Sequence, residues 1–141
     1  MVSESDVKTA LDTALQACVT ANNLPAIVLE NTRDKTAVGD PWLRPTLLAA
    51  ANNEISIGDM GSTEFHGIYQ VDVIYPYGTG TDTVMVTVDA IANYFTRGRS
   101  FAVNGHVTTV MGVPNTVPAR IINNFYFKPV EIYYSSIQSI A

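Results

Sequence analysis

The sequence contains few of the residues from which enzyme sites and cross-links are built. Among 141 residues it has one cysteine, Cys18, and two histidines, His66 and His106. A single cysteine excludes an intramolecular disulfide and a metal site made of several thiolates. Neither the histidines nor the scattered acidic residues stand at the spacing of a metal-ligand or nucleophile motif. We therefore expect no catalytic residue, no metal and no cofactor.

The chain also lacks a long apolar run and an excess of basic residues. No stretch approaches the roughly 18 apolar residues of a membrane span, and no basic segment precedes an apolar one at the start. Eight scattered basic residues stand against 13 acidic ones, a formal charge of -5. Such a protein does not grip DNA through its phosphates, although like charge lets DNA slide past without sticking. We expect a protein made in the cytoplasm, with no membrane partner and no sequence-specific nucleic-acid binding.

What the sequence does contain is the pattern of one domain with one substantial core, at 47% hydrophobic residues. Apolar residues at spacings of three and four predict helices over 5–21 and 82–96. Alternating or β-branched segments predict strands over 26–29, 41–48, 65–75, 100–103, 106–111 and 125–134. Pro41 and Pro45 remove ladder donors, so their strand is expected to lie at an edge or to pair fully only in its second half. Pro129 favours an edge position or a bulge in the last strand. The expected fold class is α+β, a mixed, mostly antiparallel sheet flanked by two main helices.

The segment 49–64 has no sustained periodicity and is long for a loop of a compact domain, so it is interpreted as an inter-subunit contact region. A second loop, 112–124, is also inferred to be a contact region. The alternative interpretation of 49–64 is a mobile surface loop. A free loop would leave the apolar side chains of this segment exposed to solvent, which favours the contact region. The seven tyrosines suit either interfaces or sheet packing. The candidate oligomer or partner contacts are Trp42, Arg44, Ile55, Ile57, Met60, Arg120, Tyr133 and Tyr134.

Gly78-Thr79-Gly80-Thr81 follows a predicted strand and precedes a predicted helix, as a phosphate-binding turn would. However, Asp82 stands where a Walker-type loop needs a lysine, and its carboxylate would compete for the free amides and repel an anion. A flexible turn is the favoured interpretation of this segment.

Several segments occur in an order and spacing that are typical of one protein family. They are Ser3–Val7, Leu43–Leu48, Gly67–Pro76 with Gly78–Gly80, and Phe95–Gly98 with Ser100–Phe101. Together they resemble the tail terminator family of long-tailed bacteriophages, over a single domain spanning 1–141. The resemblance implies a virion structural protein of the tail or neck and no catalytic residues.

The resemblance further implies a homo-oligomeric ring, commonly a hexamer, on the last layer of the tail tube. Such a ring halts tube polymerisation and presents a surface to the head connector, so the implied partners are the tail tube protein and the head–tail connector proteins. Two alternatives stay open, namely a head–tail connector (neck) protein of similar size, and a small-ligand-binding domain or enzyme that uses the Gly78–Gly80 turn.

Overall fold

The computed structural model describes residues 4–29, 40–50, 53–54, 63–78, 80–103 and 106–138. Within them lie two helices, α1 (Glu4–Asn22) and α2 (Asp82–Tyr94). The strands are β1 (Ala26–Ile27), β2 (Trp42–Ala49), β3 (Asn53–Glu54), β4 (Thr63–Pro76), β5 (Ser100–Val103), β6 (His106–Val110), β7 (Asn115–Thr116), β8 (Arg120–Ile122) and β9 (Phe125–Gln138). The α+β prediction is confirmed, and α2 ends two residues earlier than predicted.

The described strands join one sheet in the order β1-β2-β4-β9-β6-β5. The short β3 pairs with β4, while β7 and β8 continue the line of β6 along the outer side of β9. Only the β1–β2 pair is parallel among these strands, so the sheet is mixed and mostly antiparallel, as predicted. The two long strands β4 and β9 pair over their full length and form the centre of the sheet.

Both helices pack on the same face of the sheet and bury the main core. The apolar stripe of α1 is Val7, Leu11, Leu15 and Cys18, each at most 1% exposed, as its three- and four-residue spacing predicts. The valines of α2 lower its helix propensity, so burial of Val84, Val88 and Ile91 must stabilise this helix. From the sheet, β4 and β9 contribute Tyr69, Val71, Val73, Val130 and Ile132 to the same cluster.

The prolines sit where the sheet needs no donor. Val28 N donates to Leu43 O, so the backbone polar groups of Leu43, and of Pro45 two residues on, point to the outer edge of β2 and not toward β4. Beyond Leu43 no described strand pairs with that edge. The edge position predicted from Pro45 is therefore confirmed for the described strands.

Of the two alternatives predicted for Pro129, the edge position is wrong, because β9 is an internal strand. An irregularity does face Pro129, since the three residues 117–119 lie opposite Lys128 and Pro129. Pro129 pairs with Asp72 of β4 on one side and lies opposite the break between β7 and β8 on the other. Its carbonyl accepts a hydrogen bond from Val117 N at 3.0 Å, so its missing N–H would also have pointed to that outer side. The β4–β9 ladder therefore loses no hydrogen bond.

The predicted loop 112–124 is in part β structure. β8 and β9 form a hairpin through Asn123 and Asn124, whose φ angles of 49° and 65° are both positive. Two consecutive residues of positive φ are what a type I′ turn requires, and asparagine tolerates that conformation better than most residues. The Asn-Asn pair was the sequence signal for this hairpin.

Candidate interaction surface

The second face of the sheet, opposite the helices, is called the open face, because neither described helix packs on it. Its side chains belong to the alternate residues of each strand, and the antiparallel register places them in rows that run across the strands. The rows differ in polarity from one end of the face to the other, which divides the face into three zones.

The first zone is a small buried cluster. Trp42, Ile74 and Phe127 follow one another across β2, β4 and β9, and Val28 and Phe125 complete the cluster. The rings of Trp42 and Phe125 meet edge to face with centroids 5.0 Å apart. Ile74 is fully buried, and Trp42 is 7% exposed. This end of the face is therefore packed within the chain itself.

The middle zone is polar and charged. Arg44 lies directly across from Asp72, and Arg120 borders the same zone from β8. Gln70 Nε2 donates a hydrogen bond to Asp72 Oδ1 at 2.9 Å. Burial raises the pKa of Asp72 above its usual value, while this hydrogen bond and the charges of Arg44 and Arg120 oppose the rise.

A polar row lies next to these charges. Thr46, Gln70, Glu131 and Asn115 follow one another across four strands, and Asn115 Nδ2 donates to Glu131 Oε1 at 3.0 Å. The middle zone thus carries hydrogen-bonding groups of both kinds and charges of both signs. Such a mixture suits a solvated surface or the polar part of a protein interface.

The third zone is an exposed apolar row. Leu48 on β2, Ile68 on β4 and Tyr133 on β9 lie in direct register, and Met111 follows Tyr133, to whose carbonyl its N–H donates at 2.8 Å. Leu48, Tyr133 and Met111 are 46%, 40% and 54% exposed. Three of the four residues, with His66 and Ser135, line a shallow cavity of about 310 Å³. We call this set the apolar row.

Gly67 fixes the backbone next to the apolar row. A Cβ at this position would lie 2.4 Å from the carbonyl oxygen of Leu48 and 3.0 Å from Ala49 Cα and the Tyr134 hydroxyl oxygen. Contacts under 3.0 Å to backbone cannot be relieved by a rotamer change. The absence of a side chain at Gly67 is therefore what lets β2 approach β4 closely at this end of the sheet.

The eight candidate contact residues divide into three groups. Arg44, Arg120 and Tyr133 lie on the open face and are at least partly exposed. Trp42 and Tyr134 are corrected from contact candidates to core residues, because Trp42 is buried in the small cluster and Tyr134, at 2% exposure, in the main core. The remaining three, Ile55, Ile57 and Met60, lie outside the described residues.

Sequence reasoning missed the partners that complete the apolar row. Leu48, Ile68 and Met111 come from three separate segments, and only strand register brings them beside Tyr133. The signal within each segment was weak, since a single apolar residue on a strand does not reveal whether its face is covered.

The glycine turn follows Pro76 at the end of β4 and precedes α2. Gly78 and Gly80 have φ angles of 92° and 90°, and they border a cavity of about 310 Å³ with Tyr77, Ile121 and Tyr126. Asp82 begins α2 immediately beyond the turn. A carboxylate and several apolar side chains do not favour a phosphate at this place.

Within the described residues, no three His, Cys, Asp or Glu side chains come together as metal ligands. Neither α1 nor α2 combines the length and apolar character that a bilayer span needs.

Comparisons with known proteins agree with this architecture. A family model described as "Phage tail terminator protein" matches residues 6–134. One solved structure is similar at a TM-score of 0.75, covering 98% of this chain and 97% of its own, with 18% sequence identity. At that identity the likeness establishes a shared fold. No curated protein has a sequence that matches the chain significantly.

Proposed function

This chain belongs to the phage tail terminator family, and we propose that it forms a hexameric ring on the last layer of the tail tube. The ring stops tube polymerisation and provides the surface to which the head connector attaches. The family supports a structural role in a bacteriophage tail. The ring, its copy number and both partners are our proposal.

The observation that carries the proposal is the exposed apolar row of the open face. Three large apolar side chains of one row, Leu48, Tyr133 and Met111, are each at least 40% exposed, and Ile68 connects Leu48 to the other two. Such a row is unusual on a monomer and typical of a surface that another protein covers. The neighbouring charges and hydrogen-bonding groups resemble the polar surroundings of an interface core. An assembly protein needs such a surface, whereas a catalytic role would need convergent reactive groups.

The charge of the chain supports a place beside the DNA path. With a formal charge of -5 per subunit, a ring of six would carry a large negative charge. DNA that passes through such a ring is repelled by its wall and does not bind to it. We propose that the ring surrounds the path of the genome without holding it.

Tail-tube polymerisation in vitro tests the proposal. The purified chain is added to polymerising tube protein of the same virion, and tube lengths are measured by negative-stain electron microscopy. We expect shorter tubes with one ring at an end. Leu48→Asp/Tyr133→Asp should reduce this effect, while Thr9→Asp/Gln16→Glu, which adds the same charge on exposed positions of α1, should retain it.

Two outcomes would contradict the proposal. Tube lengths that do not change at an excess of the purified chain, with no density at the tube ends, would rule out a terminator. Binding to purified connector rings in place of tubes would indicate the neck protein that the sequence left as the alternative.

A further inference from the structure

We propose that the apolar row of one copy binds the exposed side of α2 of a second copy, with Asp89 of that helix facing Arg44. The inference rests on the proposed ring and adds the two surfaces that build it. The open face and the helices lie on opposite sides of the subunit. A contact between them is therefore heterologous, the kind that closes into rings.

The two helices differ in the side chains that they expose on the side away from the core. All large apolar residues of α1 lie on its buried stripe, and its described outer side is polar or alanine. α2, in contrast, exposes Met85 at 41% and Val86 at 66% on the side away from the core. Of the two helices only α2 therefore offers large apolar side chains to a partner. Methionine adapts its shape readily, which suits packing on the apolar row.

The charges next to the two surfaces are complementary. Asp82 and Asp89 are exposed on α2 on either side of Met85 and Val86 along the helix, and no basic residue occupies its last turn. On the open face, Arg44 lies in the middle zone and Arg120 borders it. Within the described residues none of these four charges has a salt-bridge partner within 4.0 Å, since the one such pair there is Lys8–Asp12.

Asp72 and Glu131 are also on the open face and limit the attraction. Each already accepts a side-chain hydrogen bond, Asp72 from Gln70 and Glu131 from Asn115. An acidic helix placed on the apolar row would approach Arg44 before Arg120, because Arg44 is closer to that row along the strands. Arg44 is therefore the cation that the proposal assigns to the contact.

The spacings of the two surfaces differ by a distance that one long side chain can bridge. Arg44 is four residues from Leu48 on β2, about 13 Å along an extended strand. Asp89 is four residues from Met85 on α2, about 6 Å along a helix. When Met85 lies over the apolar row, the remaining distance of about 7 Å is one that an extended arginine side chain covers.

Charge exchange between the two surfaces tests the proposal by sedimentation velocity, for the chain alone and in the presence of tail tubes. Arg44→Asp and Asp89→Arg should each weaken self-association about tenfold or more. The double variant Arg44→Asp/Asp89→Arg should recover it, because every contact is again complementary. An equimolar mixture of the two single variants should recover it as well, in rings where the variants alternate.

Matched controls separate this contact from a general effect of charge. Arg97→Asp and Asp40→Arg make the same changes at exposed positions that belong neither to the apolar row nor to α2, and they should leave association unchanged. Met85→Ser/Val86→Ser should weaken association without changing any charge. Circular dichroism spectra of all variants should match that of the wild-type chain.

Three results would overturn the inference. One is a wild-type chain that stays monomeric both alone and on tubes. Another is association that neither single reversal weakens. The third is self-association that the single variants lose and that their equimolar mixture does not recover. This result would indicate that two open faces or two helices meet. Tube lengths measured in parallel separate the two proposals. If the wild-type chain shortens tubes and the two single variants associate as well as the wild type does, only the proposed contact is contradicted, and the terminator function is not.

Discussion

Tyr69, buried at the centre of β4, donates a hydrogen bond from its phenol to the Asp12 carboxylate of α1, with 2.5 Å between the oxygens. Lys8 Nζ lies 2.6 Å from the other oxygen of the same carboxylate. The hydrogen bond between Tyr69 and Asp12 joins the middle of the sheet to the middle of the first helix. It also fixes the helix in position along the strand, which apolar contacts alone specify less sharply.

Removal of the Tyr69 hydroxyl should destabilise the chain measurably. In Tyr69→Phe the partly buried Asp12 carboxylate loses a donor, and we expect the free energy of unfolding to fall by about 1–3 kcal/mol. Tyr75→Phe is the matched control, because its partner Thr87 retains a hydrogen bond to Thr83 O at 3.2 Å. The control should lose about 0.5–1.5 kcal/mol. Urea unfolding checks both values, and an equal loss in the two variants would contradict the role of Asp12.

Alkaline pH should act through the same tyrosine. Burial, followed by the charge and hydrogen bond of Asp12, raises the pKa of Tyr69 far above the usual 10.0. Above about pH 10, the tyrosine of the unfolded chain releases its proton while Tyr69 of the folded chain keeps it. The stability that is fully present below pH 10 therefore decreases as pH rises. This group contributes a slope of up to about 1.4 kcal/mol per pH unit. Unfolding curves should show a shallower decrease for Tyr69→Phe than for the wild type, and parallel decreases would exclude Tyr69 as the source.

The elements that sequence periodicity predicted are those whose packing is one-sided or strongly alternating. The apolar stripe of α1 and the alternation of β4 could be predicted, because the order of apolar and polar residues within each segment shows which of its faces is buried. Pro129 shows the limit of this approach. A proline fits an internal strand if its nitrogen faces a gap in the neighbouring strand. Here the gap between β7 and β8 is set by their registers with β9, and periodicity does not determine those registers.

The candidate contacts show the same limit. Tyr133 and Tyr134 are neighbours on one strand, so one must face the helices and the other the open face. The sequence does not say which, because aromatic residues serve in cores and in interfaces alike. The apolar row was beyond prediction for a further reason, since its members become neighbours only through the β2–β4 and β4–β9 registers.

Gly67→Ala should weaken the sheet next to the apolar row. The new methyl group would meet the Leu48 carbonyl oxygen at 2.4 Å, so β2 has to move away from β4. Overpacking of this kind costs about 1–3 kcal/mol, and thermal unfolding should show a melting temperature lower by several degrees. Gly98→Ala is a control in open space, where the cost comes from its φ of 87° alone. Because Leu48 belongs to the apolar row, Gly67→Ala should also weaken self-association, which Gly98→Ala should not.

Asp72→Asn should leave the chain at least as stable at neutral pH as the wild type. Burial raises the pKa of Asp72 above the usual 3.8, against the opposing effects of Gln70, Arg44 and Arg120. A raised folded-state pKa means that the folded chain holds the proton more tightly, so stability is highest below pH 3.8 and falls as pH rises through the folded-state value.

Asparagine has no charge to bury, and its Oδ1 can still accept the hydrogen bond from Gln70 Nε2. Urea unfolding should therefore give equal stabilities at about pH 3 and an advantage for Asp72→Asn that develops above it, with the exposed Asp40→Asn as control. A variant that is less stable than the wild type at neutral pH would mean that attraction to Arg44 and Arg120 outweighs the cost of burying the carboxylate.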